Sequence, residues 1–278
     1  MSQLIKLREQ IKTIKTIQKI TQAMRLVSMS IHSRLNNQKT YLKNYQSELN
    51  KIASIIGSTE NHNEIEPTFT TKKLIILIGS QKGLCSAFNQ DVLRKFLITN
   101  ESKEPHDLMV VGKKLIDITQ RKNRISHKII KFAPASLSQI TNQIFKYIIT
   151  QKEFNQIICL SNSSKNFFTH ITKITPIWPL QPNQVDKPQH ANPGEPYVWE
   201  EPVAEIAETL KLNQLKLNIY CLLFDSLIAE YAARFRSMDN ATRNAGNLLE
   251  TTERSYRKVR QTKITRELVE LSAIFQTK

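Results

Sequence analysis

The sequence predicts an α/β domain inserted between two long terminal helices that pair as an antiparallel coiled coil. Both ends of the chain lack helix breakers and repeat apolar residues every three or four positions. Between them, short segments rich in Ile, Leu and Val alternate with helical segments. A single helix cannot bury a long apolar stripe, so each terminal helix needs a partner of similar length. The chain leaves one helix and returns into the other through the middle, so the pair is expected to be antiparallel.

The carboxyl-terminal helix is predicted over 203–278. No proline follows Pro202, and Gly246 is the only glycine after it, so nothing forces a break. Some 70 residues rising about 1.5 Å each would form a helix on the order of 100 Å long. The positions expected to face the partner helix are Leu227, Tyr231, Phe235, Met238, Ala241, Ala245 and Leu249, followed less regularly by Tyr256, Val259, Leu268 and Leu271.

The amino-terminal helix is predicted over 1–58, since no glycine occurs before Gly57 and no proline before Pro67. Most steps between its apolar residues are three or four, which is typical of a coiled-coil seam. A long helical hairpin inside a bundle stays open, because periodicity does not identify the partner. The expected seam is Leu4, Leu7, Ile11, Ile14, Ile17, Ile20, Met24, Val27, Ile31 and Leu35, and after a gap Leu42, Tyr45, Leu49, Ile52 and Ile56.

The middle of the chain predicts a Rossmann-like α/β domain over 72–178, with a largely parallel sheet. A connection over 179–202 then holds more than half of the ten prolines and leads back to the helix. The predicted strands are 73–79, 106–112, 125–132, 154–161 and 170–178, and the predicted helices between them are 89–99, 113–121 and 136–151.

The formal net charge is +16, and the first helix carries many Lys and Arg residues against two acids, Glu9 and Glu48. A basic helix favours an acidic partner, which includes nucleic acid, an anionic membrane surface or an acidic protein cavity. Aromatic residues make up only 7% and no nucleic-acid reader motif occurs, which disfavours nucleic acid. The longest apolar run, 219–224, is too short to span a bilayer. A basic coiled-coil nucleic-acid-binding or scaffold protein remains the alternative interpretation.

The sequence predicts no catalytic residue, no metal site and no cofactor. The turn over 80–89 contains Gly83 and Lys82 but neither G-x-G-x-x-G nor G-K-[ST], so it is a weak candidate for phosphate binding. The three cysteines include no C-x-x-C, and the six histidines are scattered. No paired carboxylates or nucleophile elbow appear.

Several separated motifs occur along the chain: 18–21 (QKIT) with Met24, 83–85 (GLC) with Asn89, 197–202 (YVWEEP), 244–248 (NAGNL), and Arg260-Gln261 followed by Thr265, Glu267 and Glu270. In this order, and over essentially the whole length, they resemble the gamma subunit of F-type ATP synthases. The chain departs from that family where it has Gln81-Lys82 in place of a usual Asp-Arg pair, Ser86 and Ala87 in place of glycines, and Phe235 in place of methionine. Arg25 stands where an acidic residue is common, so the resemblance is to a divergent bacterial member.

The resemblance implies a non-catalytic central-stalk rotor that couples ion flow to ATP synthesis or hydrolysis. Its implied partners are the catalytic beta and alpha subunits, the epsilon subunit and the membrane c-ring, with no nucleic acid. Its implied location is peripheral, on the cytoplasmic face of a bacterial inner membrane. Tyr197 and Glu200 are implied as possible ring contacts. Judged on pattern alone, Thr265 and Glu267 would only support the coil, and Arg260 and Gln261 would only face solvent. The implied contacts with the stationary subunits are Met24, Arg25, Arg260, Gln261, Thr265, Glu267 and Glu270, and the implied motif of the α/β foot is Gly83, Leu84, Cys85 and Asn89.

Overall fold

The computed structural model describes residues 2–59, 72–99, 106–121, 125–151, 154–167, 169–179 and 202–276. Two long helices, α1 of 58 residues and α5 of 74 residues, form the two ends of the chain. A five-stranded sheet and three shorter helices lie between them in the sequence. Among the described residues, no helix is long and apolar enough to cross a membrane. The elements are α1 (Ser2–Thr59), β1 (Lys72–Ile78), α2 (Phe88–Thr99), β2 (His106–Val111), α3 (Lys113–Thr119), β3 (His127–Ile129), α4 (Leu137–Gln151), β4 (Phe154–Asn166), β5 (Thr169–Trp178) and α5 (Val203–Gln276).

The sheet has the strand order β3-β2-β1-β4-β5, in which the first four strands are parallel and β5 is antiparallel to β4. This confirms the predicted mixed fold with its largely parallel sheet. Two predicted strand lengths were wrong. β3 pairs with β2 over only three residues because β2 ends at Val111 and α3 begins at Lys113. β4 continues to Asn166 because it forms a long hairpin with β5, whose pairing reaches Asn166 and Thr169.

The core of the α/β part lies on both faces of the sheet. On one face, Leu74, Ile76 and Ile78 of β1 pack with α4 and with parts of α1 and α5. On the other face, Ile75 and Leu77 pack with α2 and α3. A strand that is buried on both faces requires a continuous apolar run, which is the pattern of residues 74–78.

The chain divides into two compact units, each of which includes part of both long helices. The terminal unit comprises residues 1–29 and 234–278, and the sheet unit comprises residues 30–233. The predicted domain boundaries lie at the helix ends, whereas these units divide α1 and α5 internally. The predicted connection over 179–202 lies outside the described residues except at Pro179 and Pro202.

The terminal unit contains the antiparallel helix pair. Lys15 Nζ lies 2.9 Å from Glu253 Oε1, Thr242 Oγ1 donates to Thr21 Oγ1 at 2.9 Å, and Arg25 Nη1 lies 2.7 Å from Asp239 Oδ1. The partner number on α5 falls as the number on α1 rises, so the helices run in opposite directions. In the sheet unit, Lys39 Nζ lies 2.7 Å from Asp225 Oδ1 and adds one more contact between the same helices.

The predicted seam of α1 was wrong at Ile17, Ile20 and Val27. Ile17, Ile20 and Val27 are 48%, 54% and 58% exposed. The reason is that the facing part of α5 presents polar groups, and the polar side chains of α1 pair with them. The positions of α1 that are buried or half-buried follow alternating steps of three and four, as Leu4, Leu7, Ile11, Ile14, Gln18, Thr21, Arg25 and Ser28, with Met24 beside Arg25.

The ends of the predicted seams also need correction. Tyr45 and Ile52 of α1 are exposed, and Gln46 and Ala53 are the half-buried neighbours. In α5, Leu268 and Leu271 are exposed, as is every described side chain after Lys263. In α5, the buried and half-buried positions recur in steps of three and four only as far as Lys263. The apolar residues beyond it therefore do not face α1 in the described part of the helix pair.

Candidate functional site

The turn after β1 is held by a buried polar cluster. The Ser80 backbone N–H donates to Asn89 Oδ1 at 2.9 Å, and Asn89 Nδ2 donates to Ser80 Oγ at 2.8 Å. Cys85 Sγ lies 3.4 Å from the same hydroxyl. Asn89 belongs to the first turn of α2, so its amide ties the start of this helix to the end of β1. The structure therefore brings Cys85 and Asn89 of the implied foot motif together around the Ser80 hydroxyl. The two motif residues that precede Cys85 differ in exposure, since Gly83 is half-buried and Leu84 is exposed.

The same turn packs against α5 inside the sheet unit. Cys85 and Phe88 form a buried cluster with Ala229 and Ala233. The two alanines leave room for the Phe88 ring because each ends at Cβ. The turn that contains Cys85 and Phe88 therefore packs on the long helix within the sheet unit.

Buried side chains occupy the edge of the sheet at which doubly wound folds bind ligands. That place is the carboxyl end of the strands where the order reverses, here between β1 and β4. Asn162 of β4 is fully buried and its Nδ2 donates to the Phe88 carbonyl at 2.8 Å. Thr172 Oγ1 of β5 donates to Asn162 Oδ1 at 2.6 Å. With Ser80 and Phe88 also fully buried, the crevice is filled by the chain itself.

Met24 and Arg25 lie half-buried on α1, where Arg25 forms part of a three-residue ionic cluster in the terminal unit. Asp239 accepts from Arg25 Nη1 at 2.7 Å on one carboxylate oxygen and from Arg243 Nη2 at 2.6 Å on the other. The hydrogen bond from Arg25, and to a lesser extent the charge of Arg243, lowers the pKa of the Asp239 carboxyl. The carboxylate therefore stays charged at neutral pH.

The five implied contact residues near the end of α5 are all exposed: Arg260, Gln261, Thr265, Glu267 and Glu270. Most of the local contacts they make lie within the helix. Thr265 Oγ1 donates to the Gln261 carbonyl at 3.0 Å, and the two glutamates face Lys263 and Arg266 one turn away. Such exposed pairs contribute about 0.3–0.5 kcal/mol each, so these side chains are not needed to hold the helix.

The structure does not bring the two implied contact sets together. The ionic cluster centres on Asp239, and Arg260 lies 21 positions further along α5, which is about 32 Å at 1.5 Å per residue. Tyr197 and Glu200, the possible ring contacts, lie outside the described residues.

Sequence reasoning missed that polar side chains join the two helices, although Thr21 was part of the motif 18–21. The residues that join them are Lys15, Thr21, Asp239, Thr242 and Glu253. One signal was available for α1. Leu4, Leu7, Ile11 and Ile14 establish steps of three and four, and the same steps continue through Gln18 and Thr21. No comparable signal indicated Asn162, because its partner Phe88 lies 74 residues away in the chain.

Comparison with known proteins accounts for nearly the whole chain. The family model for ATP synthase matches residues 3–275. The ATP synthase gamma chain of Helicobacter pylori (strain P12) is 30% identical, covering 98% of this chain and 98% of the relative. The ATP synthase gamma chain of Christiangramia forsetii is 29% identical, covering 98% of this chain and 97% of the relative.

Solved structures share the fold. The rotor of the Euglena gracilis mitochondrial ATP synthase in rotational state 1 superposes with a TM-score of 0.69 at 15% identity, covering 95% of this chain and 99% of that chain. A chain of the OSCP/F1/c-ring assembly of the same enzyme in rotational state 3 gives 0.68 at 15% identity, covering 99% and 94%. The match from end to end in sequence agrees with the paired terminal helices and the inserted sheet. This chain therefore belongs to the ATP synthase gamma-chain family.

Proposed function

We propose that this chain is the central-stalk rotor of an F-type ATP synthase or ATPase. In this role it couples ion flow through the membrane ring to ATP synthesis or hydrolysis at the catalytic subunits. The observation that carries the proposal is the family match over residues 3–275. The proposed partners are the catalytic beta and alpha subunits, the epsilon subunit and the c-ring. The proposed location is peripheral, on the cytoplasmic face of a bacterial inner membrane.

The chain would act without catalysing a reaction itself. A rotor surface that differs from side to side contacts each catalytic site differently at a given angle. It can shift the nucleotide affinity of a site only by the difference in contact free energy between the open and closed states of that site. A difference of about 1.4 kcal/mol changes the affinity tenfold, so a few charge-assisted hydrogen bonds are sufficient.

The exposed end of α5 supports this role. Its exposed side chains present donors and acceptors that the coil does not need, so they are available to the surrounding head, which is the assembly of the alpha and beta subunits. These residues are Arg260, Gln261, Thr265, Glu267 and Glu270. We include Met24 and Arg25 of α1 as contacts, with Arg25 limited to the part of its guanidinium that Asp239 leaves exposed.

The α/β part is proposed to form the foot beside the epsilon subunit and the c-ring, with Tyr197 and Glu200 as ring contacts. The buried turn at Cys85 and Asn89 supports a mechanical role for this domain, because it fastens the sheet to the helix that carries the proposed contacts.

A basic coiled-coil nucleic-acid or scaffold protein is the competing function. The net charge of +16 is compatible with it, but the family match disfavours it. A nucleic-acid binder would lose affinity steeply with rising salt.

The test is reconstitution with the alpha and beta subunits of the same organism. We expect the chain to co-purify with the head at one copy per head, and to restore ATP-driven ion pumping when the head is joined to the membrane sector. The control is the same preparation without this chain. A chain that does not join the head, yet binds DNA or RNA with a steep salt dependence, would overturn the proposal.

A further inference from the structure

Two parallel rows of side chains run along α1 in the terminal unit, one residue apart. The inner row is polar and consists of Gln18, Thr21, Arg25 and Ser28, and it is buried or half-buried. The outer row is apolar and consists of Ile17, Ile20, Met24 and Val27, of which only Met24 is half-buried. Apolar burial by itself favours the opposite arrangement, with the outer row facing α5. Other contacts must therefore select the observed register.

One such contact is the ionic cluster of Arg25, Asp239 and Arg243, which we call the clasp. Asp239 is only 14% exposed, and each of its oxygens accepts one guanidinium hydrogen bond, at 2.7 Å from Arg25 and 2.6 Å from Arg243. Arg243 lies on the same helix as Asp239, so it remains nearby in any register. Arg25 is the member of the clasp that depends on how α1 faces α5.

Rotation of α1 by one residue position would separate Arg25 from Asp239. One position corresponds to about 100° around the helix. The outer apolar row would then face α5, and the largely buried carboxylate of Asp239 would lose the partner that α1 supplies. Loss of one partner from a buried charge pair is costly because the remaining charge has already given up its water. The hydrogen bond between Thr21 and Thr242 and the ion pair of Lys15 with Glu253 would break as well.

We propose that the clasp sets the rotational register of α1 on α5 and thereby keeps Ile17, Ile20 and Val27 on the outside of the helix pair. Arg25 is then a positioning residue. Through its contact with Asp239, it determines which face of α1 the rotor presents to its surroundings. The register part stands on the contacts of this chain alone. The consequence for coupling rests on the proposed rotor function.

Cysteine cross-linking in the full-length chain measures the register directly. The pair Thr21→Cys with Thr242→Cys reports the observed register, since these two hydroxyls lie 2.9 Å apart. The pair Ile20→Cys with Thr242→Cys reports the rotated register. Intrachain disulfides are quantified as peptides by mass spectrometry, so the native cysteines can remain. With the clasp intact, the first pair is expected to form the dominant product.

Reversal of one charge is expected to move the helix. Arg25→Asp places two carboxylates together. The yield of the disulfide that reports the rotated register, relative to the disulfide that reports the observed register, should therefore rise by roughly tenfold or more. Reversal of the whole clasp, by Arg25→Asp with Asp239→Arg and Arg243→Asp, should restore the original ratio. Lys19→Asp changes the net charge equally at an exposed position of α1 and should leave the ratio unchanged. If Arg25→Asp does not fold, Arg25→Gln provides a neutral variant that should shift the ratio in the same direction.

Coupling is measured on the same variants, without the added cysteines, in the assembled complex. Arg25→Asp should lower ATP-driven ion pumping. The fully reversed clasp should recover the part of the loss that the register causes, but not the part that comes from the proposed contact of Arg25 with the catalytic subunits. An unchanged cross-link ratio in both Arg25 variants would overturn the proposal, as would a shift that the fully reversed clasp fails to correct. A wild-type chain that does not support pumping at all would refute the rotor function, while the cross-links still decide the role of the clasp.

Discussion

At the scale of single residues, the turn after β1 holds two side chains in a backbone conformation that favours glycine. Leu84 has φ 66° and Ser86 has φ 54°, both in the left-handed region. This conformation costs an L-residue roughly 1–2 kcal/mol because Cβ approaches the following carbonyl. The turn persists because Ser80, Cys85 and Asn89 anchor it on either side.

Relief of this strain should stabilise the protein. Ser86 is exposed, so Ser86→Gly removes the unfavourable Cβ without loss of packing, and we expect the free energy of unfolding to rise by about 0.5–1 kcal/mol. Thermal and urea unfolding followed by circular dichroism measure the change. Ala87→Gly is the matched control: Ala87 is not among the residues with positive φ, so glycine there should be neutral or destabilising. A lower stability for Ser86→Gly would contradict the assigned strain.

The thiols of Cys159 and Cys221 should be unreactive in the folded protein. Burial raises the pKa of Cys159 to about 12, against a smaller opposing effect of a hydrogen bond with Ser161. Burial, with the nearby charge of Asp225, raises the pKa of Cys221 to about 11. At pH 8 the reactive thiolate is then on the order of one molecule in a thousand or fewer at either site. Ellman's reagent should modify both only after unfolding in guanidinium chloride, and rapid modification of the native chain would contradict this.

At the scale of elements, the helix pair of the terminal unit depends on which side chains of α1 lie inside. Ile14 is 9% exposed, whereas Ile20 is 54% exposed although both are apolar and only six positions apart. Ile14→Asp should cost roughly 2–5 kcal/mol because it loses apolar burial and desolvates a charge. Ile20→Asp should change stability by no more than about 0.5 kcal/mol. Circular dichroism melts of the two variants provide the comparison, and equal losses would show that Ile20 is buried.

Gly246 is a glycine in the interior of α5, where alanine should stabilise the chain. A Cβ built there has Gln18 Nε2 as its nearest neighbour at 3.4 Å, an ordinary contact with the end of a flexible side chain. Gly246→Ala should therefore raise the free energy of unfolding by about 0.5–1 kcal/mol. Gly79→Ala is the contrasting variant and should destabilise, because its Cβ would overlap Leu115 Cβ. A loss of stability in Gly246→Ala would indicate closer packing of the helices at this level.

Helix faces formed by apolar residues that recur in steps of three and four were predictable from the sequence. Helix faces that are held together by polar pairs were not. Met238, Ala245 and Leu249 of α5 were expected to face α1 and are buried or half-buried. In α1 the apolar row at Ile17 and Ile20 misled the prediction, because hydrogen bonds and ion pairs, which hydropathy does not describe, determine the register there.

The foot motif was only partly predictable as a site. Gly83, Cys85 and Asn89 are close in sequence, so a turn that joins them was expected. What the turn holds was not predictable, because Ala229, Ala233 and Asn162 come from distant segments of the chain. Neither their residue types nor their positions in the sequence indicate a contact with this turn. Only the folded chain shows that this turn fastens the sheet to α5.

At the scale of the whole molecule, coupling requires that free energy released in one place alter contacts in another. In the proposed rotor this role would fall to α5, because its residues Leu223 and Leu227 belong to the core of the sheet unit and its residues from Arg234 onward belong to the terminal unit. Its last described side chains, from 264 to 272, are exposed, so they can contact other subunits without loss of internal packing.

The prediction that bears most directly on the proposed function concerns Arg260 and Gln261. Both are exposed, so Arg260→Ala with Gln261→Ala should leave the melting temperature and the assembly of the complex unchanged. With Thr265 and Glu267, these residues point in several directions around α5, since successive residues are about 100° apart, which suits contact with one catalytic subunit at a time. Loss of a charge-assisted contact should cost roughly 1.5–3 kcal/mol at the angle where it forms.

If this contact is made chiefly in the rate-limiting state, turnover in the double variant should fall by about one to two orders of magnitude. The measurements are ATPase turnover and ATP-driven ion pumping in complexes of confirmed stoichiometry. The matched control is Lys258→Ala with Thr262→Ala, which also removes one charge and one polar group from exposed positions of the same helix. Wild-type rates in the Arg260 and Gln261 variant would show that turnover does not depend on contacts between these side chains and the alpha and beta subunits. The torque would then have to pass through packing contacts elsewhere along the helix pair.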